Sequence, residues 1–238
     1  MLWIPLGQHD FLFEHWMKVG VFMAPFLAFL STAKVDDSAE EFRFDLSLVS
    51  LTLLIAYIFH QFEEHWIDLF GNRYAFKPYV NQLLVERLGV ENEVEGPLTD
   101  AGVFVINTSL VWLVAFLAIW RGPRHNFPVF CLASIVVINA LSHIAVGILA
   151  SEYNPGLLTS IVLFLPLGLA AYLWTFRSAS GNAREVLASI LWGVLGHIIM
   201  IAGMIASGVY GIFPEVVYFC LLVAWSVLPV SLYRKRTA

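Results

Sequence analysis

The chain has 238 residues, 59% of them hydrophobic and only 13% charged, against about 25% charged in an ordinary soluble domain. With a mean hydropathy of +0.78 and 15% aromatic residues, a disordered chain is excluded and a soluble enzyme disfavoured. A formal net charge of −5 leaves no basic stripe for phosphates, so nucleic acid is not an expected partner.

What the composition predicts is a helical membrane protein, with the lipid bilayer as its surroundings. A helix needs about 20 apolar residues to cross the hydrocarbon core. The first apolar segment, 19–33 within a helical stretch 11–33, is short of that. No Lys or Arg precedes Lys18, whereas Asp10 and Glu14 do, so this segment does not read as a cleavable signal peptide. The second, 46–59, is also short and runs straight into the ionisable cluster 60–65. A polar connection, 67–100, follows, and its stretch 79–88 is predicted to form a short amphipathic helix on the membrane surface. Five strong spans then occupy 101–120, 127–151, 153–176, 186–214 and 216–233. The reading is all-α: a polytopic transmembrane bundle of seven helices in a single domain, or six if the first lies at the interface. Cys131 and Cys220 sit inside apolar runs, which suggests neither a disulfide framework nor a thiolate metal site.

Charge asymmetry predicts the orientation. Lys34 and Arg43 follow the first span, Arg121 and Arg124 the third, Arg177 and Arg184 the fifth, and Arg234, Lys235 and Arg236 the last. The alternate connections 152–155 and 208–214 carry no Lys or Arg. The N-terminus is therefore expected outside and the C-terminus in the cytoplasm. The 67–100 connection argues weakly the other way, because it holds Arg73, Lys77 and Arg87, although its acidic residues outnumber them.

Ionisable residues within spans carry the functional signal. At 100° per residue, His60, Glu63 and Glu64 share one helix face, while His65 points elsewhere. An acidic residue at the bilayer centre costs roughly 2.5–3.5 kcal/mol, so two carboxylates need pairing, protonation or a cation. A helix end reaching water is the plain alternative. Counting residues along each span brings His60, Asn107, Asn139, His143 and His197 to within roughly 6 Å of one depth, in the outer half of the bundle. Imidazoles and carboxylates without soft sulfur suit zinc, iron or manganese. His60, Glu63, Glu64, His143 and His197 are thus the candidate ligands, with one glutamate, Glu63, free to act as a general base. Asn107 and Asn139 are expected to orient a ligand or hold a substrate carbonyl. The spacing is similar to the reversed zinc-protease motif H-x-x-E-H, but Glu64 stands where that motif has its second histidine, so a protease is not inferred.

His60-Gln61-Phe62-Glu63-Glu64 reads H-x-x-E-E, and Tyr153-Asn154-Pro155-Gly156 reads Y-x-P-G. With His143 ahead of the second motif, residues from about 45 to 176 resemble the HXXEE family of bacterial membrane proteins. The resemblance implies a bacterial inner-membrane protein with a site but no assigned reaction. Segments 11–33, 185–208 and 214–233 lie outside the family's core pattern, so His197 enters by depth alone. Tyr153 reads equally as an interfacial turn residue and as a catalytic one.

Three functions stay open. An intramembrane metalloenzyme leads, as a zinc-type hydrolase of a lipid or amide-containing hydrophobic substrate; its arrangement resembles that of the ceramidase and adiponectin-receptor group, whose sequence motifs are absent. A di-iron oxidase or oxygenase is its variant, although di-iron helical sites use more carboxylates. A metal-ion or proton conduit would need polar groups along the cytoplasmic half of the second span, which offers only Ser47, Ser50, Thr52 and Tyr57. A structural subunit would explain the glycines of the sixth span better than the paired carboxylates. Neither metal identity nor oligomeric state follows from the residues.

Overall fold

In hydrocarbon every backbone polar group must be satisfied within the chain, so long apolar runs become helices. The computed structural model describes residues 9–36, 46–89, 96–121, 125–178 and 183–231. Eight helices account for most of them: α1 His9–Asp36, α2 Leu46–His65, α3 Phe76–Leu88, α4 Asp100–Arg121, α5 Phe127–Ala150, α6 Leu157–Arg177, α7 Ala183–Gly208 and α8 Glu215–Ser231. Five of these, α2 and α4 to α7, are long and apolar enough to cross a membrane. The apolar parts of α1 (His15–Leu30) and α8 are shorter, so length and composition count five spans where seven were expected. The surface helix expected at 79–88 is α3, which starts at Phe76 and ends at Gly89 in the left-handed conformation (φ 64°). Arg43, Arg124, Arg234, Lys235 and Arg236 of the charge argument, and the end of the expected 216–233 span, lie outside the described residues.

Burial separates centre from rim. In α2, 72% of the membrane-length window is buried, against 22% in α6 and in α7. Many exposed side chains of α5 to α7, among them Ile148, Leu149 and Leu173, are large and apolar, as in helices that face lipid. α5 packs on α2, α4, α6 and α7, and small residues make its crossings close. A Cβ on Gly193 would fall 2.1 Å from Ser134 Oγ, and one on Gly168 would fall 2.6 Å from Val137 Cγ2. Trp192 and Trp225 tie α7 to α8: their rings are parallel and each indole N–H donates to the other residue's carbonyl at 3.3 Å.

Two helices widen locally into π-turns, α4 at Asn107–Leu113 and α6 at Ser160–Phe164. In α4 the cause is visible. Asn107, Thr108 and Ser109 donate their side-chain hydrogens to the carbonyls of Val103, Phe104 and Val105, four residues back, in competition with the helical ladder. The π-turn begins at Asn107, which reaches Gln61 and His65 of α2, and π-turns of this kind concentrate at functional sites.

Candidate metal centre

The end of α2 is the hub. Its last turn meets the turn between α5 and α6, where Gly156 adopts φ 96° and opens α6. Glu63 and Glu64 share a helix face but do different work. Glu63 turns to the start of α6, whose first backbone N–H groups have no partner inside their own helix. Its carboxylate accepts from Leu158 N at 3.0 Å, Thr159 N at 2.8 Å, the Thr159 hydroxyl and the Tyr153 hydroxyl at 2.8 Å. Four donors saturate both oxygens. Tyr153 also accepts from Leu69 N at 3.1 Å, in a loop closed by Asp68, which accepts from Phe70 N and Asn72 N. Burial first, and then the Glu63 carboxylate, hold the Tyr153 phenol above its ordinary pKa, so its proton stays available for this bond.

Glu64, 4% exposed, points into the bundle among three imidazoles. Its Oε1 lies 3.4 Å from His60 Nε2 and 3.1 Å from His143 Nε2, and its Oε2 lies 3.3 Å from His65 Nε2. The far ring nitrogens decide the tautomers. The Thr159 hydroxyl hydrogen is directed to Glu63, so Thr159 Oγ1, 2.8 Å from His60 Nδ1, accepts a hydrogen bond from the His60 ring. Asn154 donates its amide to the His143 carbonyl, which turns Oδ1 towards His143 Nδ1 at 2.7 Å as the acceptor. In their neutral forms both rings therefore carry their proton on Nδ1 and turn a bare Nε2 to Glu64. A chain of side chains also fixes the His65 tautomer, but there Nε2 accepts a hydrogen bond and is not bare. The indole N–H of Trp112 can only donate and does so to Gln61 Oε1; Gln61 donates to Asn107 Oδ1; Asn107 Nδ2 then donates to Val103 O and, at 3.2 Å, to His65 Nε2.

With neutral rings, lone pairs face lone pairs here, in a pocket where a bare charge costs several kcal/mol after relaxation. His60 Nε2 is buried without a hydrogen-bond partner. A proton shared between Glu64 and one ring would leave the other ring's nitrogen unmatched, whereas one metal ion meets all three atoms. Among the described residues, His60, Glu64 and His143 form a group whose ligand atoms all lie within 4.8 Å of one another. Held Nδ1 partners with Nε2 turned to a common point are what metal-bound histidines need.

The remaining expected residues fall around this group. His197 lies outside it, with Nδ1 2.9 Å from the carbonyl of Gly193 on its own helix. Glu63 and Tyr153 build the turn and do not face the three-ligand point. Asn107 reaches His65 and Gln61, and Asn139 donates to the Tyr57 hydroxyl at 3.2 Å. Sequence reasoning passed over His65, because a wheel sends residue i+1 away from i, and also Asn154, Thr159, Gln61 and Trp112. Gly156 was quoted only as part of a turn. It packs so tightly that a Cβ there would lie 2.8 Å from Cε1 of both His60 and His143 and 3.0 Å from Glu64 Cγ.

Two cavities meet the site. A mostly apolar one of about 300 Å³ reaches Glu64 and His143 and is walled by α3, α4, α5 and α7, with His197 among its lining residues. The other, about 400 Å³, approaches His65 past Trp16, Tyr74 and the Lys77–Asp100 ion pair.

Residues 51–171, just over half of the chain, match the family model described as a protein of unknown function with HXXEE motif. No curated protein and no solved structure matches the chain. The protein belongs to the HXXEE family, and His60, Glu63 and Glu64 are the residues for which that family is named.

Proposed function

We propose that this HXXEE protein is an integral-membrane metalloenzyme that hydrolyses an ester or amide bond in a hydrophobic substrate. The observation that carries the proposal is the convergence of two bare imidazole nitrogens and one carboxylate oxygen on a single point. Two histidines and a glutamate form a catalytic zinc set with an open position; the same set with iron would be a facial triad for oxygen chemistry. Engagement of Glu63 by four donors removes the second carboxylate that a di-iron centre would use, which favours zinc. The metal would supply a Lewis acid that polarises the acyl carbonyl and acidifies water. The chain's own share is different. Thr159 and Asn154 fix the two rings, Glu63 clamps the turn that carries them, and the apolar cavity holds the substrate out of water. In the reaction, water's hydroxyl joins the acyl carbon and the alcohol or amine leaves with the proton. A conduit is disfavoured because, beyond His60, α2 and α5 pack Leu53, Leu54, Leu132, Ala133 and Val136 at 2% exposure or less.

The test is turnover in nanodiscs. The zinc-loaded protein should hydrolyse a long-chain fluorogenic ester or anilide, and Glu64→Gln should lose at least 100-fold, on the order seen when a transition-state contact is removed. Oxygen consumption by the iron-loaded protein without hydrolysis would contradict the hydrolase and favour an oxygenase.

We also propose seven spans, completed by α1 and α8, in a bacterial inner membrane, with the N-terminus outside; the Lys/Arg asymmetry supports this. On a background lacking Cys131 and Cys220, Glu152→Cys should label from outside and Arg184→Cys from inside. Both positions are exposed, whereas neighbouring Asn154 is buried. The reverse pattern would move the site to the cytoplasmic leaflet.

A further inference from the structure

We infer that the substrate is a single-chain amphiphile whose hydrocarbon tail lies in the 300 Å³ cavity and reaches it from the bilayer between α5 and α7. This rests on the metal reading of the Glu64 end. The two helices touch most closely where Gly193 meets Ser134. Further along both, the cavity opens between them, lined by Asn139 and His143 on one side and by His197 and Met204 on the other. Its margin reaches the lipid-facing surface, because lining residues Ser142 and Ile201 are exposed, Ile201 by 46%. The roof is α3. Val80, Leu83 and Leu84, at i, i+3 and i+4, turn one apolar face onto the cavity, while Gln82, Glu86 and Arg87 are exposed. The lining is mostly apolar, with Glu64 and His143 among the polar residues that reach it. Such a lining suits a reacting head group followed by a tail. The volume sits at the lower limit of small-molecule pockets, which admits one chain and excludes the paired chains of a bilayer phospholipid.

A dodecyl hydroxamate with a diazirine at its tail end tests this, since hydroxamates chelate first-row metals and the diazirine marks where the tail lies. The expected result is photolabelling of peptides holding Leu84, Ile201 or Met204 in the cobalt-loaded protein in nanodiscs. The labelling should fall at least tenfold with excess unlabelled dodecyl hydroxamate and in Ile201→Trp, which fills the portal. Acetohydroxamate, which has no tail, should perturb the cobalt absorption bands in wild type and variant alike. Should Ile201→Trp fail to bind cobalt, Leu83→Trp in the roof replaces it. Labels confined to the lipid-facing belt of α1, at Phe22, Phe26 or Phe29, with the acetohydroxamate response intact, would overturn the cavity assignment and leave the metal site standing. No cobalt response to acetohydroxamate in wild type would overturn the metal reading, and this inference with it.

Discussion

Alanine at Gly156 should destabilise the protein more than any other addition of a single methyl group near the site. Two costs combine there. A φ of 96° lies where an L side chain is strained, by about 1–3 kcal/mol. The added carbon would also lie 2.8 Å from two imidazole carbons and 3.0 Å from Glu64 Cγ, and overpacking of this kind costs about 1–3 kcal/mol. None of these neighbours can swing aside freely, because Thr159 and Asn154 hold the two rings. The apparent melting temperature in detergent should drop sharply, and any bound metal should be released at lower chelator concentration. By comparison, alanine at Gly211, which has φ 57° but nothing within 4 Å, carries the strain without the clash and should cost less. Equal, small effects at both positions would mean that the turn does not press on the site.

Gln substitutions should separate the two glutamates by stability and by metal. Glu63 offers four acceptor positions to four donors, and an amide nitrogen in place of one oxygen would face donors with a donor. Charged hydrogen bonds are worth about 1.5–3 kcal/mol each, and an unsatisfied buried donor adds to the loss. Glu63→Gln should therefore lower thermal stability markedly, with metal lost only as the turn loosens. This differs from the role of general base expected from spacing alone, under which Glu63→Gln would keep metal and fold but lose turnover. Glu64→Gln should do the opposite. It removes the central charge among three imidazoles, so metal affinity should collapse while the fold, relieved of a buried carboxylate, holds or gains stability. Thermal melts with and without chelator read both outcomes. A Glu63→Gln protein as stable as wild type but inactive would restore the base assignment.

These two residues also show how far the chain could be read without coordinates. Depth is a one-dimensional quantity; counting residues along each span grouped His60 with His143, and in the structure both meet Glu64. Azimuth is set by packing. His197 was grouped with the ligands by depth, yet its ring bonds its own helix and only lines the cavity beside them. The helical wheel put Glu63 and Glu64 on one face but could not see that the first turn of α6 would arrive beside Glu63, since Gly156 and the π-turn after it decide that approach. His65 was sent away by the same wheel. It reaches the second oxygen of Glu64 because Asn107, where the π-turn in α4 begins, holds its Nε2 there. The all-helical class, the long apolar spans and a short helix after α2 were legible from composition and residue pattern. The count of spans was less so, because α1 and α8 are apolar but short.

Elemental analysis of the detergent-purified protein is the most direct test of the metal centre. About one equivalent of zinc, or of another first-row metal, per chain is expected from a single three-ligand site with an open position. Glu64→Gln and His60→Ala should purify without it, and His197→Ala should retain it. Wild-type protein that is metal-free as isolated, takes up none on incubation with zinc, iron or manganese, and melts identically with and without chelator would contradict the account.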